Sequence, residues 1–149
     1  MKAHHTAICT TDVDASLRFW RDGLGFEVLM DMAFDGGWSE LFDAPTDSLR
    51  SVFLGDPGDQ TGGIVELVDF GAVPDAPPSS RPATGFFLVS VYTSVDAALA
   101  RLAELDLGGA PRRIAVQGVA MAVVTDPNGV RVELIDLPGG GGPAIGMNT

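Results

Sequence analysis

A chain of 149 residues, 46% of them apolar, makes one ordinary domain or two small modules that share a core. Its formal charge of -11 repels phosphate backbones and anionic lipids, so nucleic acid and membrane surfaces are not expected partners. No run approaches the roughly 20 consecutive apolar residues of a spanning helix, and the start, MKAHH, carries no apolar stretch of the kind found in secretory signals.

The chain has a single cysteine, Cys9, which can form no disulfide within it. That composition suits a reducing cytoplasm. No Walker loop, GxGxxG after a strand, CxxC, HExxH or GxSxG is found.

The first predicted element is HTAICT, which alternates and is β-rich. Asp12 or Asp14 can cap the helix that follows, because a carboxylate accepts from the unsatisfied N–H groups of a first turn. Leu17, Trp20 and Leu24 share one face of that helix, and Gly23 and Gly25 end it. FEVLMDM, SVFLG and GIVELVDF then read as three strands. Between the first two, DMAFDGGWSELFDAPTDSLR is rich in Asp, Gly and Pro, which favour turns over regular structure.

Residues 71–85, GAVPDAPPSSRPATG, read as an extended, semi-stiff linker. Beyond it FFLVSVY is a strand. Thr93 or Ser94 caps the helix VDAALARLAELD, whose Val95, Leu99, Leu102 and Leu105 form a stripe. RRIAV, AMAVVTD and VRVELID are further strands, and DPNG is a turn. The closing PGGGGPAIGMNT, 138–149, reads as a flexible tail.

The two halves repeat each other. DVDASL at 12–17 matches SVDAAL at 94–99 with an offset of 82, and IVELVD at 64–69 matches RVELID at 131–136 with an offset of 67. The first unit therefore holds 15 extra residues, which must fall between positions 18 and 63. The expected fold is α+β: a first βαβββ module over 1–70, the linker, and a second module over 86–137.

A doubled βαβββ unit bearing HTAICTTDVDASLRFWRDGLGF, IVELVDF and TDPNGVRVELID resembles the vicinal oxygen chelate superfamily. That group includes glyoxalase I, methylmalonyl-CoA epimerase, extradiol dioxygenases, and the bleomycin and fosfomycin resistance proteins. The resemblance spans residues 3–137. It implies two half-barrels around a cavity, with a divalent metal held by the first and last strands of each unit. Carried onto this chain, those positions are His5, Glu66 and Glu133. The offset of 82 puts Phe87 at the fourth, where a phenyl ring cannot ligate a cation.

Two readings follow from the resemblance. In one, His5, Glu66 and Glu133 bind Zn, Ni, Co, Mn or Fe and leave a position open for substrate. Glu66 or Glu133 then shuttles a proton next to a carbonyl, as in a lyase or isomerase that works through an enediolate. In the other the metal is lost, Phe87 floors an apolar cavity, and the protein sequesters an aromatic or cationic small molecule.

Strand alternation puts His5, Ala7 and Cys9 on the cavity face and turns His4 away to the surface or an interface. Cys9 and Phe53 can line the pocket, and Trp38, with Phe34 and Phe42, can cover it. Each of these also has an ordinary packing role open to it. Arg112 and Arg113 form the densest positive spot, which reads as a solvated pair. A homodimer is expected, because open half-barrels leave sheet edges for a partner to cover.

Overall fold

The computed structural model describes residues 1–77 and 81–136. The expected tail at 138–149 lies outside them, as do Leu137 and positions 78–80 of the linker. The first half runs β1 (His5–Cys9), α1 (Val13–Leu17), a π-helical turn (Arg18–Gly23), β2 (Glu27–Asp35), α2 (Trp38–Phe42), β3 (Ser48–Gly55) and β4 (Ile64–Asp69). The second runs β5 (Val89–Tyr92), α3 (Val95–Glu104), β6 (Gly108–Val116), β7 (Val119–Thr125) and β8 (Arg131–Ile135).

Each half folds into one four-stranded sheet, ordered β1-β4-β3-β2 and β5-β8-β7-β6. In both sheets the first and last strands of the module lie parallel and the other neighbours antiparallel. The fold is therefore α+β, with two βαβββ half-barrel modules. Each sheet turns one face to the helices. There Trp20, Phe19, Leu67, Leu102 and Leu134 are fully buried in a core that draws on both modules. Each such side chain contributes about 1.5–3 kcal/mol.

The helix starts are capped as the sequence suggests. Asp12 accepts from Ala15 N at 2.9 Å, and Ser94 accepts from Ala97 N. A buried polar link joins the modules behind the sheets. Trp20 Nε1 donates to Asp126 Oδ2 at 3.2 Å, and Asn128 Nδ2 donates to Ser16 Oγ at 3.0 Å. The DPNG segment is thus a turn, and also a tie between the two halves.

Two expectations about local structure need correction. The stretch from Asp31 to Arg50 is not given over to turns. β2 runs on to Asp35 and pairs with β3 back to Ser48, with α2 at the tip. The Asp residues read as turn formers hold regular structure instead: Asp31 takes both arms of Arg50 at 2.8 and 2.9 Å, and Asp47 accepts from Ser39 N and Oγ. The second correction is that β5 begins at Val89, so Phe86 and Phe87 precede the strand and are exposed.

Candidate functional site

The face of the first sheet away from the helices is open. His5, Ala7 and Cys9 of β1 alternate with Ile8 and Thr10, which are buried against the core. Register carries the same face across the sheet: Ala7 lies beside Glu66, which lies beside Phe53, which lies beside Met30. Here a carboxylate stands on an apolar surface with polar groups converging on it. Ser51 Oγ donates to Glu66 Oε1 at 2.6 Å, and His5 Nε2 lies 3.2 Å from Glu66 Oε2. The Glu66 side chain is 15% exposed and that of His5 37%. The Phe53 ring packs against His5 with centroids 5.4 Å apart.

Cys9 shares this face. Burial, and then the charge of Glu66, push its thiol above the ordinary cysteine range. His4 is exposed, as a surface residue should be, but its ring does not swing away from His5. Its Nδ1 meets His5 Nδ1 at 2.8 Å, and its ring lies 6.0 Å from Phe53. Alternation governs residues inside a strand. His4 precedes β1, so its direction is set by ring contacts.

The second sheet also has an open face. Glu133 on β8 lies between Ser90 and Val123, and accepts from Ser90 Oγ at 2.8 Å. Tyr92, Ile114 and Val116 are exposed large apolar residues of the same sheet.

The strand registers revise one residue assignment. Glu66 pairs with Ala7, and Glu133 pairs with Ser90, so the strands repeat at an offset of 83. Backbone bonds at the strand ends agree: Thr10 N donates to Val68 O, and Thr93 N to Ile135 O, again 83 apart. The caps Asp12 and Ser94 keep the offset of 82, so Thr11 has no counterpart in the second module. The structural counterpart of His5 is therefore Leu88, not Phe87. Phe87 instead lies under the Arg131 guanidinium, 4.9 Å from its ring centroid. Leu88 is as unable to ligate a cation as Phe87.

The donor pair His5–Glu66 fits a metal. Two ligands at about 2.1 Å from one ion stand about 3.0 Å apart at a right angle and about 3.4 Å apart at a tetrahedral angle, and the observed separation is 3.2 Å. Yet among the described residues no three His, Cys, Asp or Glu side chains come together to hold an ion. Two of the three expected ligands, His5 and Glu66, thus lie together, and Glu133 is not with them.

Trp38 keeps to α2. It stacks on Phe42 at 6.0 Å and donates Nε1 to Phe34 O. Arg113 pairs with Asp96, so the expected solvated arginine pair is partly engaged. β1 and β5, the edge strands of the two sheets, border a cleft of roughly 230 Å³ lined by His4, His5, Ile64, Leu88 and Ser90. That is below the ~300–1,000 Å³ of most small-molecule pockets. No helix among the described residues is long and apolar enough to cross a membrane.

Comparison with known proteins fits this architecture. The family model for the Glyoxalase/Bleomycin resistance protein/Dioxygenase superfamily matches residues 2–134. The chain belongs to that superfamily. It is 34% identical over 147 residues to the lactoylglutathione lyase-like protein terB of Aspergillus terreus, covering 91% of this chain and 75% of that one. Among solved structures, the trypanothione-dependent glyoxalase I of Leishmania major superposes with a TM-score of 0.64 at 23% identity, over 91% of this chain and 86% of that one. TnmS3, an antibiotic-binding protein of a Streptomyces species, superposes with a TM-score of 0.60 at 21% identity, over 93% and 97%. Proteins described by catalysis and by binding thus share this fold, and the site has to decide between them.

Sequence reasoning missed the two serines that donate to these carboxylates, Ser51 and Ser90. Ser51 sits two residues before Phe53 on β3, the spacing that returns a side chain to the same face. Ser90 takes the place of Ala7 once the strand offset is 83 rather than 82.

Proposed function

We propose that this chain is a glyoxalase-type enzyme, a lyase or isomerase that moves a proton on a small substrate with two neighbouring oxygens. The observation that carries the proposal is the convergence of His5 and Ser51 on Glu66 at an open apolar face. A carboxylate in such a place is costly unless charge or hydrogen bonds compensate it, and here it is held with both oxygens engaged. The likeness to a lactoylglutathione lyase-like protein supports the same chemistry.

His5 and Glu66 would hold a divalent metal (Zn, Ni, Co, Mn or Fe), which when bound would polarise the substrate's vicinal oxygens. A second copy of the chain supplies Glu133 in this reading, because one copy does not bring it to His5 and Glu66. Exposed Met32, Tyr92, Ile114 and Val116 on the two sheets offer apolar side chains that such a partner would cover. Ser90 steadies Glu133 through Oε2, and the carboxylate takes the proton next to the carbonyl and returns it at the neighbouring carbon. The substrate passes through an enediolate between the two transfers. Phe53 and Cys9 flank the reacting centre on the same sheet face.

A second reading has its own support. Leu88 at the counterpart of His5, and a converging donor set of only two, suit a metal-free protein that sequesters an aromatic or cationic molecule. The fold likeness to TnmS3 is consistent with that reading.

The deciding experiment is metal content by mass spectrometry on untagged protein, beside a His5→Ala control. It is paired with turnover assays on 2-oxoaldehyde–thiol adducts and acyl-CoA epimers. Near-stoichiometric metal that is lost in the control, together with turnover, bears the first reading out. Protein that neither carries nor takes up Zn, Ni, Co, Mn or Fe sinks it, and binding of a flat aromatic ligand in the presence of a chelator then supports the second. Gel filtration at micromolar concentration should give a dimer, and a monomer would count against the shared site.

A further inference from the structure

We propose that His4 is a positioning residue for His5 and fixes which nitrogen of that ring faces the open sheet. This inference rests on the reading of His5 and Glu66 as the working pair. Three observations carry it. His4 Nδ1 and His5 Nδ1 are 2.8 Å apart, a hydrogen-bond distance between two imidazole nitrogens. The other nitrogen of His5, Nε2, is already committed to Glu66 Oε2 at 3.2 Å. Phe53 packs against both rings, with centroids at 6.0 and 5.4 Å.

The proton count then follows. A neutral imidazole has one N–H and one lone pair. Glu66 accepts, so His5 carries its proton on Nε2, and its Nδ1 is left as an acceptor. With both rings neutral, His4 then donates from Nδ1. Ser51 Oγ donates to the far oxygen of Glu66, so the row Ser51–Glu66–His5–His4 closes with each contact holding one proton.

The identity of the fourth member matters. A lysine at position 4 could only donate to Nδ1, and a carboxylate could only accept from it. An imidazole does either. When His5 Nε2 gives its lone pair to a cation, its proton must sit on Nδ1, and His4 Nδ1 then accepts it. His4 thus holds the His5 ring in both tautomers. A partner on the far nitrogen of a ligating histidine typically changes metal affinity about 10–100-fold. The adjacent pair His4-His5 is thereby explained as a working unit, with only His5 facing Glu66.

The test begins without metal, so that it stands apart from the question of what the protein binds. Long-range proton–nitrogen spectra of ¹⁵N-labelled protein in chelator, at a pH where both rings are neutral, report the tautomer of each histidine. The expected result is a single Nε2–H form for His5 and an Nδ1–H form for His4. His4→Phe removes the donor to Nδ1 and leaves only Glu66 to hold the Nε2 proton, so it should raise the Nδ1–H share of His5, while His4→Gln, whose amide can donate, should restore much of the Nε2–H form. His5 signals that are the same in His4→Phe and wild type, with the backbone spectrum intact, overturn the proposal.

A competition titration with Co adds a second readout. His4→Phe should weaken binding about 10–100-fold, His4→Gln less, and His5→Ala abolish it. Equal affinity in His4→Phe and wild type also overturns the proposal. If wild type takes up no Co, the metal reading fails by itself, and the tautomer experiment still decides the role of His4.

Discussion

Replacing Asp126 with alanine should loosen the joint between the modules. Asp126 is 4% exposed, and its carboxylate accepts four hydrogen bonds. Two come from backbone N–H groups of its own turn, Asn128 and Val130, each at 2.8 Å. One comes from the Asn128 amide and one from the Trp20 indole of the other module, each at 3.2 Å. Trp20 is fully buried, so its N–H has no water to turn to. An orphaned buried donor costs about 1–3 kcal/mol, and a hydrogen bond to a charged group contributes about 1.5–3 kcal/mol.

The turn donors are half-exposed and regain water, so they recover part of their loss. The total for Asp126→Ala comes to about 3–5 kcal/mol. A chain of this size loses about 2–4 °C of melting temperature per kcal/mol, which implies a drop of about 6–20 °C. Asp126→Asn keeps an acceptor for the turn but can set an amide donor against the indole, and should cost about 1–3 kcal/mol. Urea unfolding followed by tryptophan fluorescence, with calorimetry beside it, measures both. A loss below about 1 kcal/mol for the alanine variant would refute the idea that this buried link holds the halves together.

Gly23→Ala should destabilise the same region by about 1–3 kcal/mol, because an added Cβ would stand 2.5 Å from Leu102 Cδ2 in the core; thermal melts check this, and an unchanged melt would mean that α3 shifts freely against the π-helical turn. Cys9 should react slowly with a disulfide reagent near neutral pH, since burial and then the Glu66 charge raise its pKa and leave less thiolate than a free cysteine has. Glu66→Gln removes the charge, so the rate–pH profile should move to lower pH, and coincident profiles would mean that Glu66 does not act on Cys9. Asp31→Asn should cost less than about 1 kcal/mol despite its bidentate pairing with Arg50, because both partners are largely solvated; an unfolding measurement giving more would make that pair structural. The Arg50 hydrogen bond holds the Asp31 carboxyl below its usual range, so what stability the pair contributes is present above about pH 4 and fades as pH falls through the lowered value.

The sequence by itself determined the repeat, the order of elements and the helix caps. These rest on local rules: alternation in HTAIC, a stripe at helical spacing in VDAALARLAE, and a cap at Asp12 or Ser94. The resemblance carried by IVELVDF also singled out Glu66, as the last-strand position of the first unit. Tertiary structure decided what depends on pairing between distant segments. The first-strand counterpart of His5 moved from Phe87 to Leu88, since strand register is set by hydrogen bonds to β4 and β8 while the caps follow the helices, and the one-residue difference falls at Thr11, where no local pattern marks it. The segment Asp31–Arg50 became an extended hairpin with a helix at its tip, because cross-strand contacts outweighed the turn preferences of its Asp and Gly. His4 came to face His5 because it stands just before the strand, beyond the reach of alternation. Ser51 joined Glu66, and Ser90 joined Glu133, only when neighbouring strands were laid side by side.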